Sequence, residues 1–175
     1  MDLSIIKEFF ENPDKSFHIR ELSRKLDKNH MTVRKKLIEL KQEQYLKKEK
    51  TNLYETYKAN KNKKFYNLKL YYNLEKIRKS KIIDKINEEY DYPQIILFGS
   101  YSEAKDDENS DIDICLITNV KKEIELKKFK TKLNKNVDLR IFSEKEWEKL
   151  IKNNASLANN IIRGITLSDE FEAIR

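Results

Sequence analysis

Apolar residues along this chain follow two periods, and the switches between them mark the elements. Over residues 2–11, Leu3, Ile6, Phe9 and Phe10 recur at helical spacing, and Asn12-Pro13 stops the helix. Ile19, Leu22 and Leu26 predict a second, short helix. Asp27-Lys28-Asn29 makes a turn, and Val33, Leu37 and Leu40 define a longer helix over about residues 30–44. Residues 45–50 and 53–57 read as the strands of a hairpin, with Thr51-Asn52 between them. Phe65, Leu68, Tyr72 and Ile77 predict an amphipathic helix that breaks near Ser80. Ser80 is placed to cap a further helix carrying Ile82, Ile83 and Ile86.

Strands dominate the next stretch: an apolar run at 94–98 and alternating segments at 110–117 and 136–142. In the last, Val137, Leu139 and Ile141 take one face, Asp138 and Arg140 the other. Between the second and third strands, Ile124, Leu126, Phe129 and Leu133 predict a surface helix over 122–133. Ser143 and Glu146 form a capping box that opens a helix with Trp147, Leu150 and Ile151 as its buried stripe. Ala155, Leu157, Ala158, Ile161 and Ile162 build the last helix, and Gly164 is placed to end it in the left-handed conformation. The fold class expected is α+β. Residues 1–60 form a helix-turn-helix with a hairpin wing, 61–79 a linker helix, and 80–175 a small mixed sheet with flanking helices. The first of these looks like the winged helix-turn-helix domains of prokaryotic regulators.

Candidate chemistry sits in the last segment. Only two glycines occur in the 175 residues. One of them, Gly99, ends an apolar strand as Gly99-Ser100, where the missing Cβ lets backbone N–H groups approach a phosphate. After a spacer come Asp111 and Asp113, which alternation puts on one face of a strand. Asp138 lies on a later strand. If the two strands are neighbours, three carboxylates converge, enough to hold two Mg²⁺ ions roughly 3.5–4 Å apart for an in-line phosphoryl displacement. A calcium loop beginning at Asp107 is excluded, because Ile112 stands where the turn glycine belongs and Thr118 where the bidentate Glu belongs.

Gly99-Ser100, the spacer, Asp111-Ile112-Asp113 and Val137-Asp138-Leu139 together resemble the nucleotidyltransferase superfamily that includes DNA polymerase β, and most closely its minimal nucleotidyltransferases. The resemblance covers about residues 80–175. It implies that Gly99 and Ser100 bind the triphosphate of an NTP, with ATP expected. It also implies that Asp111 and Asp113 bind both Mg²⁺ ions and Asp138 the catalytic one. In one departure, Tyr101-Ser102-Glu103-Ala104 stands where the family often has a small-Arg-Gly run. The resemblance further implies transfer of AMP to a partner protein, as by the antitoxin of a toxin–antitoxin pair.

Charge separates the two ends. Residues 1–64 hold 17 Lys and Arg against 10 Asp and Glu, whereas residues 91–175 hold 14 against 16. The excess belongs to the N-terminal segment and suggests an anionic partner there. In a helix-turn-helix, Asn29, His30, Thr32, Lys35 and Lys36 would face duplex DNA, the lysines attracting phosphates and Asn29, His30 and Thr32 reading base edges. A protein-interaction or dimerisation role is the alternative, and the linker helix is a candidate homodimer surface. A regulator whose transferase fold only senses nucleotide is the rival for the whole chain.

Cys115 is the single cysteine and His18 and His30 the only histidines, which argues against structural zinc and disulfides. With no membrane-length apolar run and no signal-peptide core, a cytoplasmic location is expected.

Overall fold

The computed structural model describes residues 3–50 and 55–168. Two compact units divide the chain, residues 1–69 and 70–175.

In the first unit, helix α1 (Lys7–Glu11) is shorter than the expected 2–11, since Ile6 at its N-cap offers no side-chain acceptor. A two-residue strand, β1 (Phe17–His18), leads into α2 (Ile19–Lys25), where His18 Nδ1 accepts from the Arg20 N–H at 3.2 Å. Asn29 caps α3 (His30–Gln42) in the same manner, its Oδ1 accepting from the Met31 N–H at 2.8 Å. Strands β2 (Leu46–Lys50) and β3 (Glu55–Ala59) pair antiparallel, and β1 joins the far side of β3 to give the order β1-β3-β2. The expected second strand began at Leu53. Leu53, Tyr54 and the Thr51-Asn52 turn lie outside the described residues, and β3 runs on to Ala59 because Tyr57 and Ala59 alternate into the core. That core joins Ile6, Phe9, Phe17, Leu22, Val33, Leu37 and Leu40, all fully buried, with Phe9 and Phe17 edge-on at 5.0 Å. The break between units falls inside α4 (Lys63–Ser80). Phe65, at its start, packs against Phe10 in the first unit.

The second unit begins with the later turns of α4 and with α5 (Ile82–Tyr90). Ser80 Oγ accepts from the Ile82 N–H at 3.2 Å and donates to the Ile77 carbonyl at 2.6 Å, so one hydroxyl ends α4 and starts α5. Strand β4 (Gln94–Phe98) runs into a four-residue helix, α6 (Gly99–Ser102). Strand β5 (Ile112–Ile117), helix α7 (Lys127–Leu133) and strand β6 (Val137–Phe142) follow, then α8 (Glu144–Asn153), α9 (Ala155–Ile162) and β7 (Ile165–Thr166). The sheet order is β6-β5-β4-β7, with β5 and β6 parallel and the other pairs antiparallel. Alternation assigns the two faces. Ile95, Leu97, Ile112, Ile114 and Leu116 meet Ile82, Ile86, Phe129 and Leu133, while Ile96, Phe98 and Cys115 meet Trp147, Ala158 and Ile161.

Several expectations change. Helix α7 starts at Lys127 and not 122: Ile124 and Leu126, two residues apart, pack against the core from an irregular segment. Ile151, assigned to a buried stripe, is 41% exposed, and Ile162 of the last helix is 60% exposed. Gly164 does not adopt positive φ, which among the glycines belongs to Gly99 alone. Its role is close approach: a Cβ there would stand 2.4 Å from the Leu97 carbonyl oxygen, where β7 joins β4.

Candidate active site

Register brings the site together. Phe98 of β4 pairs with Asp113 of β5, and Asp113 pairs with Asp138 of β6, so the residue leading into the Gly99–Ser100 turn and two carboxylates share one row across the sheet. Gly99 follows Phe98 at φ +70°, and a Cβ at Gly99 would stand 2.3 Å from Asp113 Oδ2. The carboxylate therefore rests on the bare α-carbon of the turn. Ser100 is the second residue of α6, and its carbonyl accepts from the Lys105 N–H at 2.9 Å. Ser102 Oγ closes the turn by donating to the Gly99 carbonyl at 2.8 Å.

The third carboxylate stands just before β5, where Asn136 Nδ2 donates to Asp111 Oδ1 at 2.9 Å. Arg140 Nε lies 3.3 Å from Asp138 Oδ2, with its guanidinium 5.8 Å from the Phe98 ring centroid. Burial first, then the Asp138 carboxylate, pushes the Asp113 carboxyl above the usual range; Arg140 opposes the rise and Asp111 adds to it. Among the described residues, no group of three His, Cys, Asp or Glu side chains stands close enough to hold a metal ion. Arg140 and Asn136 occupy the outer carboxylates instead. The donor set is nonetheless hard oxygen of the kind Mg²⁺ takes. Like charges placed directly opposite on neighbouring strands are unfavourable, and a cation between Asp113 and Asp138 would relieve them. The expected convergence of three carboxylates is not formed among the described residues, and the pair that fits a divalent cation is Asp113 with Asp138. Cys115, one pleat along from Asp113, has its thiol pushed up to about 12 by burial, which suits a core residue.

Residues 79–158 match the family model described as the nucleotidyltransferase domain. This segment is a nucleotidyltransferase domain. It contains Gly99, Ser100, Asp111, Asp113 and Asp138 and leaves the first unit outside the match. No curated protein matches the chain.

A buried polar network underlies the transferase site and has no signature in the sequence. Asn73 Nδ2 donates to Asp106 Oδ1 at 2.8 Å and to the Tyr101 carbonyl at 3.1 Å. Lys135 Nζ lies 4.0 Å from Asp106 Oδ2 and donates to the carbonyls of Asp107 and Ser110. One ammonium thus ties the chain entering β6 to the chain entering β5, while Asn73 ties the spacer to α6.

In the first unit, His30, Thr32 and Lys35 are exposed on α3, and exposed Asn29 spends its side-chain oxygen on the cap. Lys36 is half-buried and bonded to Glu39 at 2.5 Å, so it is less available than expected. Arg34, not singled out from the sequence, is exposed beside Lys35 and lines a shallow surface groove with Met31, Thr32 and Ile38.

Proposed function

We propose that the transferase domain moves an NMP from an NTP, with ATP the expected donor, to a hydroxyl of a protein or nucleic-acid acceptor. The observation that carries this reading is the row Phe98, Asp113, Asp138 with Gly99 seated on Asp113. An acceptor oxygen bonds to the α-phosphorus, the bond from that phosphorus to its bridging oxygen breaks, and pyrophosphate leaves. The Gly99–Ser100 turn would receive the leaving phosphates through backbone N–H groups. Asp138, exposed on β6, would orient the hydroxyl and accept its proton on a carboxylate oxygen. Asp111, Asp113 and Asp138 would hold two Mg²⁺ ions. A divalent cation supplies charge neutralisation at the phosphoryl oxygens and lowers the pKa of an attacking oxygen. A toxin partner is one protein acceptor consistent with the sequence resemblance.

Mg²⁺ with ATP should raise the melting temperature by mass action, and Asp111→Asn with Asp113→Asn should abolish the shift. Asp138→Asn should keep much of that shift yet lose transfer of α-labelled nucleotide to lysate components, because an interaction made mainly in the transition state governs turnover before binding. An undiminished shift in the double variant would sink the metal assignment. Tight ATP binding without any labelled product from the wild type would favour the nucleotide-sensing regulator.

The N-terminal unit, in this reading, is a winged helix that binds duplex DNA. The α2–turn–α3 order followed by paired β2 and β3, and the exposed cations Arg34 and Lys35 on α3, support it.

A further inference from the structure

Helix α7 is an outlier in its surroundings. Four of its seven residues are lysine and none is acidic. Phe129 and Leu133 are buried, which turns Lys127, Lys128, Lys130 and Lys132 outward. Residues 121–132 carry six lysines against two glutamates, while the rest of 91–175 carries eight cations against fourteen carboxylates. Positive potential is therefore concentrated on one edge of an otherwise acidic segment.

That edge opens toward the candidate site. A polar cleft lies between the C-terminal half of α7 and the starts of β5 and β6, lined by Ser110, Asp111, Lys130, Thr131, Asn134 and Asn136 among others. Helix α7 packs on the sheet face opposite Cys115. The cleft passes round the N-terminal ends of the two strands, joining Lys130 of α7 to Asp111. Its walls offer two ammoniums, two hydroxyls and three amides beside the carboxylates of Glu108 and Asp111. None of the large apolar side chains exposed among the described residues belongs to α7 or to the cleft. A protein acceptor would want an apolar centre at such a surface, whereas a phosphodiester strand wants spaced cations and amide donors.

We propose that the α7 surface and this cleft dock the acceptor, and that the acceptor is a single-stranded nucleic acid whose terminal hydroxyl is delivered past Asp111. This rests on the transferase reading and names the acceptor class for it. Lys127 and Lys130 hold phosphates of the strand, Thr131 and Asn134 line its path, and the nucleotide-binding turn is left to the NTP.

The test uses the full chain and a labelled 12-nucleotide strand with a free 3′-hydroxyl, made once as RNA and once as DNA. Lys127→Glu with Lys130→Glu should weaken binding by about ten-fold or more. It should also flatten the slope of log affinity against log salt by about 1.4, the share of two phosphate contacts. The strand that shows the loss identifies the sugar. Lys127→Gln with Lys130→Gln should lie between wild type and charge reversal. The melting shift given by Mg²⁺ with ATP should be unchanged in both variants, and its absence from the wild type would instead indict the transferase reading. Lys35→Glu, made in parallel, controls for binding by the N-terminal unit. Unchanged affinity for both strands in the α7 variants overturns the proposal, and so does loss confined to Lys35→Glu. Labelling of a lysate protein that is untouched by the α7 charge reversal, with neither strand labelled, overturns it as well.

Discussion

Gly99→Ala separates stability from function at the candidate site. The backbone there has φ +70°, where a Cβ costs roughly 1–2 kcal/mol. The new methyl would also stand 2.3 Å from Asp113 Oδ2 and 3.1 Å from Asp113 Cγ, against an ordinary contact of 3.4–4 Å. The obstructing atoms are the end of a side chain, so Asp113 can swing away and the fold survives. The carboxylate must move by about 1 Å, and misplacement of that size can cost about 10²-fold in rate. Urea unfolding should therefore register a loss of only about 1–2 kcal/mol. The melting shift produced by Mg²⁺ with ATP should shrink sharply, and transfer should fall by about two orders of magnitude. A Gly99→Ala protein with wild-type nucleotide response would show that Asp113 does not work from its seat on this turn.

Gly164→Ala should do the reverse. Its Cβ meets the backbone carbonyl of Leu97 at 2.4 Å, which cannot rotate away, so stability should fall by about 1–3 kcal/mol while the folded fraction keeps its nucleotide response. Lys135→Met leaves Asp106 buried without its ammonium and should cost about 3–5 kcal/mol in urea unfolding; adding Asp106→Asn should recover part of the loss. Ser143→Ala removes the capping-box hydroxyl of α8 and should cost about 1 kcal/mol, read by the same assay. Thr32→Ala and Lys35→Glu should differ in kind in a duplex titration, the lysine change weakening all sequences and flattening the salt dependence, the threonine change acting on some sequences only.

Much of the site was legible because strand alternation is a local rule. Asp138 and Arg140 on one face of β6 follow from period two, and the parallel pairing of β5 with β6 sets Asp113 opposite Asp138; Asp111, expected on the same strand as Asp113, stands just before β5, which begins at Ile112. What escaped the sequence depends on partners far along the chain. Asn73, Asp106 and Lys135 are separated by about thirty residues at each step and carry no shared spacing. The two residues of β7 are too few to show a period, and Gly164 looked like a helix terminator because its true constraint, the Leu97 carbonyl, is a tertiary neighbour. Segment 122–126 was misread as helix since Ile124 and Leu126 fit an apolar stripe as readily as they fit an irregular segment packed on the core.

The position of β6 has a consequence for solution behaviour. Among the described residues it has a strand neighbour on one side only, and the opposite margin of the sheet, β7, is two residues long. An exposed sheet margin invites another copy to add its own strand, and short length or embedded charge discourages this. Asp138 and Arg140 put opposite charges in the middle of β6, so a carboxylate of the candidate site and its ion-pair partner also keep the margin from acting as an adhesive. Neutralising both should increase self-association, visible as concentration-dependent light scattering, even where the fold itself is unaffected.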